Sequence, residues 1–276
     1  MAQAHCKKIF LGAAVGMALL TLAGCAQHPK DEQQAPRQLS NQMVLALNWF
    51  QQSGEYRALA HQAFNSAQRA FDQAKPAAGK KKAVVVDLDE TMLDNSAYAG
   101  WQVRQNKTFD GASWAKWSQA AQAQAIPGAV RFANYVNSHG GTMFYVSNRK
   151  QSEFDATVAN MRTLGFTGMS AKTVLLAQDS SNKQARFDSI KNAGYDIVVY
   201  AGDNLNDFGA ATYHQDNAQR RAFVGANEDK FGAEFIVLPN PLYGDWESGL
   251  ATDYNKLTPQ QKLQARAQAV QAWDGR

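Results

Sequence analysis

From Ala83 onward, short apolar runs alternate with stretches of helical periodicity. The runs are Ala83–Leu88, Thr142–Val146, Thr173–Ala177, Asp196–Ala201 and Glu234–Leu238. Each has the length of a strand, and the run of β-branched residues Val84-Val85-Val86 is the pattern of a strand buried on both faces. Between them, Ile126-Pro127-Gly128 opens a helix that runs to about Ser138 and ends at His139-Gly140-Gly141. Further helices are predicted over Ser152–Leu164, with Gly165 as the stop, over Lys183–Ala193, and near Asp207–Ala211. This alternation predicts an α/β fold, a parallel sheet with helices on both faces.

The pattern changes on either side of the first strand. From Gln38 to Ala74 apolar residues recur at helical spacing, which predicts two helices broken near Ser53-Gly54. Between Thr91 and Ala125 no strand signal occurs. That segment carries Tyr98, Trp101, Phe109, Trp114 and Trp117, and it reads as a helical insertion over the exit of the first strand. Residues 38–79 and 92–125 are therefore expected to build a smaller, mainly helical cap. Residues 80–91 and 126–250 form the α/β core, and a terminal helix lies in 251–276, over Thr258–Trp273.

The N-terminus reads as a targeting segment. Lys7 and Lys8 precede an apolar run from Ile9 to Gly24, which ends in Leu22-Ala23-Gly24-Cys25. This ending resembles a bacterial lipobox. Residues 1–24 are expected to be removed, leaving Cys25 as the lipidated residue and 25–37 as a polar tether. Cys6 falls in the removed part, so the mature chain would hold no disulfide. Ala26 after the cysteine favours outer-membrane sorting, by resemblance to known lipoproteins. The 276 residues are 45% hydrophobic and 19% charged, with a net charge of +4, as suits a globular protein. The basic residues form no stripe, so no nucleic-acid polymer is expected as a partner.

The candidate chemistry sits where strands end, the edge at which open α/β sheets bind ligands. The first strand runs into Asp87-Leu88-Asp89, which places two carboxylates on one side of an extended chain. The second ends in Ser147-Asn148-Arg149, offering a hydroxyl and an amide. Lys183 opens a helix against the macrodipole, a position that makes sense if it points at an anion. The fourth cluster is Gly202-Asp203-Asn204-Leu205-Asn206-Asp207. Carboxylates for a hard cation, a nucleophile, a proton donor and an ammonium are the parts that phosphoryl transfer requires.

Asp87-Leu88-Asp89-Glu90-Thr91, Ser147, Lys183 and Gly202-Asp203-Asn204-Leu205-Asn206-Asp207 resemble, in order, the four motifs of the haloacid dehalogenase superfamily. The longer stretches Asp87–Tyr98 and Gly202–Phe208 resemble the paired signatures of class C nonspecific acid phosphatases, lipoproteins of bacterial outer membranes. The resemblance implies that Asp87 forms an aspartyl-phosphate and that Asp89 is the general acid and base. It implies a magnesium ion on the Asp87 carboxylate, the Asp89 backbone carbonyl and Asp203, with Asp207 supporting the ion and its waters from behind. Ser147, Asn148 and Lys183 would bind phosphate. The loop before Lys183 lacks the family's further lysines and has Gln178, Asp179 and Ser180 instead, which leaves Arg186 as the alternative anion contact. Trp114 and Tyr243 resemble the family's ring-stacking pair, with Trp117 as the other candidate.

The substrates implied are phosphate monoesters, nucleoside 5'-monophosphates and nicotinamide mononucleotide among them. A like charge near Asp89 would raise its pKa and give an acidic optimum. Three readings of the activity stand at this point. The chain hydrolyses monoesters, or it transfers phosphate to nucleosides, or it is a surface lipoprotein binding haem or another planar ligand. The resemblance also allows a homodimer.

Overall fold

The computed structural model describes residues 29–276; the signal segment and Cys25 lie outside the described residues. Seven strands are found there: β1 (Lys81–Val86), β2 (Leu93–Asp94), β3 (Gln124–Ala125), β4 (Thr142–Lys150), β5 (Val174–Ala177), β6 (Tyr195–Gly202) and β7 (Phe235–Val237). Five of them make one sheet in the order β5-β4-β1-β6-β7, with every pairing parallel. β1 is the central strand, and its residues Val84 and Val86 are fully buried.

Helices cover both faces, as the apolar runs predict. They are α1 (Pro29–Gln42), α2 (Val44–Gln52), α3 (Gly54–Gln73), α4 (Ser96–Gln105), α5 (Gly111–Ala120), α6 (Ala129–Ser138), α7 (Phe154–Thr163), α8 (Gln184–Asn192), α9 (Asn217–Ala226), the single turn α10 (Asp245–Ser248) and α11 (Pro259–Gln268). Side chains alternate along β1. Val84 and Val86 join Phe64, Phe71, Phe132, Val136 and Met161 on one face. Ala83 and Val85 join Phe187, Ile190, Tyr200 and Phe235 on the other.

The N-terminal helices differ from the expectation in two ways. Residues from Pro29 to Arg37, read as tether, are helical and belong to α1. Ala35 and Leu39 bury themselves there, and α1 packs against α2, α4 and α11. The prolines that suggested a tether are accommodated, Pro29 in the first turn and Pro36 within the helix. α3, assigned to the cap, instead lies on α6 and against β6 and β7. Its break from α2 falls where expected, with the Ser53 hydroxyl accepting from the Tyr56 N–H at 3.0 Å.

The insertion after β1 is helical, as expected, but it begins and ends in a two-residue antiparallel pairing of β2 with β3. That pairing ties the ends of the insertion together at the sheet's edge. Within it, Asp110 caps α5 by accepting from the N–H groups of Ala112 and Ser113, at 3.1 and 2.9 Å. Among the described residues no helix is long and apolar enough to cross a membrane.

Candidate active site

β1 delivers Asp87 one residue past its end, and the Asp87 N–H still donates to Ala201 O of β6 at 2.9 Å. The chain then turns sharply. Met92 and Leu93 both donate to Leu88 O at 2.8 Å, and Glu90 takes a left-handed φ of 59°. β6 ends beside it, bringing the Gly202–Asp207 loop across from Asp87. That loop is fixed by an Asn204–Asp207 capping box.

Three carboxylates converge here: Asp87, Asp203 and Asp207 offer oxygens that all lie within 4.8 Å of one another. Lys183, at the N-cap of α8 and 3% exposed, pairs with Asp87 and lies 2.7 Å from Asp207. Burial alone would lower this ammonium's pKa, but Asp207 and Asp87 more than offset it and hold it above the usual lysine value. Its unfavourable place on the helix dipole is thereby explained. Burial, with added repulsion from Asp207 and Asp89, pushes the Asp87 carboxyl up to about 7 despite Lys183. Burial and the charges of Asp87 and Asp207 push Asp203 well above the usual carboxylate range. Thr91 Oγ1 and Asn240 Nδ2 donate to Asp203, at 3.2 and 2.8 Å, and fix its orientation. Buried, mutually repelling hard-oxygen donors fit a small divalent cation, which would relieve that repulsion.

Asp89 lies in a different setting. Arg149 Nη2 and Nε donate to its Oδ1, at 2.8 and 2.9 Å, and Asn95 Nδ2 adds a third bond at 2.9 Å. Oδ2 has longer contacts, 3.2 Å from Arg149 Nε and 3.3 Å from Ser147 Oγ. The like charges of Asp87 and Glu90 lie near this carboxylate, as expected, and in direct contact with it is a guanidinium.

A cavity of 790 Å³ opens from these groups. Asp87, Asp89, Lys183 and Asp203 line it, as do Trp114, Phe109 and Tyr243. Tyr243 is 42% exposed, and its hydroxyl donates to the buried Glu90, tying the ring to the β1 loop. Trp114 faces the cavity, whereas Trp117 turns inward to donate to Asn95 Oδ1 at 2.8 Å. Of the two candidate tryptophans, Trp114 lines the cavity and Trp117 does not.

The remaining expected residues fall close by. Ser147 is fully buried, with its hydroxyl toward Asp89, and Asn148 is exposed on the cavity wall. Arg186 donates to Ser147 O and Asn148 Oδ1, both at 2.6 Å, so it supports that loop while Lys183 meets Asp87. Residues not singled out from the sequence complete the framework: Asn95, Thr91, Asn240, Arg149 and Arg220. Arg149 lies two residues past Ser147, and strand alternation puts both on one side, a signal that was present. Arg220 on α9 holds the far side of the Gly202–Asp207 loop, donating to Asn204 Oδ1 at 2.9 Å and Asn206 Oδ1 at 3.1 Å.

A parallel sheet with paired aspartates after its central strand, a buried lysine and an acidic loop after the neighbouring strand define a haloacid dehalogenase fold. A family model described as HAD superfamily, subfamily IIIB (Acid phosphatase) matches residues 5–246, and the chain belongs to this family of phosphoric monoester hydrolases. Among solved structures, the chain is similar to the class C acid phosphatase of Bacillus anthracis. The two are 36% identical, with a TM-score of 0.80, over 86% of this chain and 99% of that one. The same enzyme with tungstate bound aligns at 32% identity, with a TM-score of 0.78. Among curated proteins, acid phosphatase 1 of Solanum lycopersicum is 26% identical over 165 residues, 58% of this chain and 57% of that one. A stem 28 kDa glycoprotein of Glycine max is 24% identical over 169 residues, 59% of this chain and 60% of that one. The chain thus spans somewhat more than half the length of these curated relatives.

Proposed function

We propose that this protein hydrolyses phosphate monoesters with magnesium, through an aspartyl-phosphate on Asp87, and that nucleoside 5'-monophosphates are its preferred substrates. The observation that carries this reading is the meeting of Asp87, Asp203, Asp207 and Lys183 at the end of β1, with Asp89 two residues on. In the first step an Asp87 carboxylate oxygen bonds to phosphorus as the ester P–O bond breaks. The leaving oxygen takes a proton from Asp89. In the second, Asp89 removes a proton from water, whose oxygen bonds to phosphorus while the Asp87 O–P bond breaks. Inorganic phosphate and free Asp87 result.

Asp87 and Asp203, with the Asp89 backbone carbonyl, are the ligands we assign to magnesium, with Asp207 behind them. The ion, when bound, neutralises phosphoryl charge and the repulsion among the carboxylates. Lys183 supplies a second positive charge to the phosphoryl oxygens, and Ser147 and Asn148 are the polar groups we assign to them beside it. Tungstate, an oxyanion like phosphate, is bound by the Bacillus anthracis relative, which supports an oxyanion as the ligand of this kind of protein.

Trp114 and Tyr243 favour a planar leaving group, because bases stack on such rings for about 1–3 kcal/mol each. Lipidation of Cys25 would hold the enzyme at the outer membrane; Cys25 lies outside the described residues. The test is turnover of a panel of nucleoside monophosphates and simple phosphate esters, with and without magnesium. Magnesium-dependent release of phosphate that is abolished in Asp87→Asn is expected. Release that persists in Asp87→Asn, or no turnover of any monoester, overturns the reading. Tight binding of a planar ligand that persists without Asp87 would favour the binder instead.

A further inference from the structure

We propose that Arg149 is a positioning residue for Asp89: it fixes Oδ1 of that carboxyl and leaves Oδ2 to exchange protons with the leaving oxygen and water. The inference rests on the reaction proposed above and deepens it.

Arg149 is 3% exposed, and an arginine so deeply buried is costly unless its donors are satisfied. Here all three of its nitrogens have partners. Nε and Nη2 hold Asp89, and Nη2 also donates to Asn95 Oδ1 at 3.3 Å. Nη1 donates to Thr157 Oγ1 of α7 at 3.0 Å. The guanidinium carbon lies 5.6 Å from the centre of the Trp114 ring. Asn95 completes the clamp, donating to Asp89 Oδ1 and accepting from Trp117 Nε1. The parts come from β4, α7, the β1 loop and the cap, so the acid's position is set jointly by the core and the insertion.

The distribution of bonds is unequal. Three donors crowd Oδ1 at 2.8–2.9 Å, while the contacts of Oδ2 are 3.2 and 3.3 Å. A side chain held by one oxygen keeps its other oxygen in a fixed place, which is what proton transfer in a transition state needs. Such a role is distinct from an arginine that binds the phosphoryl group itself, as Lys183 is placed to do. An arginine on the phosphate would affect every monoester alike. An arginine that aims the acid matters most when the leaving group is a poor one that must be protonated as it departs.

The experiment compares p-nitrophenyl phosphate, whose phenolate leaves without a proton, with alkyl monoesters: glycerol phosphate and a nucleoside 5'-monophosphate. Arg149→Gln, assayed with saturating magnesium, is expected to lower kcat for the alkyl esters by about 100-fold or more, within the range of a lost general acid. For p-nitrophenyl phosphate the loss is expected to be about tenfold or less. Inhibition by inorganic phosphate should be unchanged. In an Asp89→Asn background the same substitution should no longer alter the alkyl-to-aryl ratio, because the group it positions is gone. Asn95→Ser, which removes one bond to Oδ1 without stranding a buried charge, provides the same readout if Arg149→Gln does not fold. It should lower the ratio in the same direction by a smaller factor. Equal losses on all esters, accompanied by weaker phosphate inhibition, would place Arg149 on the phosphate and overturn the proposal, as would an unchanged ratio in both variants. If the unaltered enzyme turns over no ester at all, the failure belongs to the reaction and not to the role of Arg149.

Discussion

Asp87 is buried and Asp203 half-buried among like charges, and this has a consequence for stability. With no divalent ion, burial and mutual repulsion push Asp87 up to about 7 and Asp203 well above its usual range. Unfolded aspartates titrate near pH 4, at about 3.9. Between about pH 4 and pH 7 the native protein therefore holds protons that the unfolded chain has released, and stability falls as pH rises through that window. A cation competes with those protons. The thermal midpoint without magnesium should thus drop between pH 5 and pH 7, and added magnesium should raise it far more at the upper pH. An equal magnesium shift at both pH values would contradict this. At this scale the sequence was informative where chemistry is local. Asp87 and Asp89 stand two apart on an extended chain, and Lys183 opposes a helix dipole. Arg149 and Asn95 were harder to find, because their meaning depends on a partner supplied by another element.

Strand and helix ends set the spacing of the site, and β6 does so through Gly202. A Cβ at Gly202 would overlap the Asp207 side chain, both its Cβ and its carboxylate. The Gly202–Asp207 loop can therefore turn back on β6 only because this residue is glycine. Gly202→Ala should cost about 1–3 kcal/mol, as overpacking does, and should weaken magnesium binding measured by calorimetry. Unchanged stability and affinity would show that the loop has more room than this. Most elements were legible from runs and stop signals. α6 and α11 open beside the expected Pro127-Gly128 and Thr258-Pro259, and the Thr258 hydroxyl accepts from Gln261 N–H at 3.3 Å. The β2–β3 pairing was not legible, since two residues show no alternation. The helix expected near Asp207–Ala211 is a pair of 3₁₀ turns, and α9 carries too few apolar residues to stand out. α1 was obscured by its prolines.

The whole molecule brings polar groups from the end of the sheet and aromatic rings from the insertion and the segment after β7 to one cavity. Substrate choice belongs to this scale, because Trp114 and Tyr243 come from chain segments far apart and share one cavity. Tyr243→Leu should lower kcat/KM for nucleoside monophosphates by about tenfold to a hundredfold, the equivalent of one lost stacking partner, with glycerol phosphate much less affected. Equal losses on both would assign the ring a structural role through its tie to Glu90. The order of the motifs made the fold legible, but which tryptophan faces the cavity followed from α5's orientation, which sequence spacing alone does not fix.

The proposed reaction runs through a covalent bond between Asp87 and phosphorus. The direct measurement is a rapid acid quench of the enzyme turning over a monoester with magnesium, followed by mass mapping of the peptide that contains Asp87. One added phosphoryl group on Asp87 is expected, lost when water completes the cycle and absent from Asp87→Asn. Phosphate released at full rate from an enzyme whose Asp87 never carries that mass would contradict it.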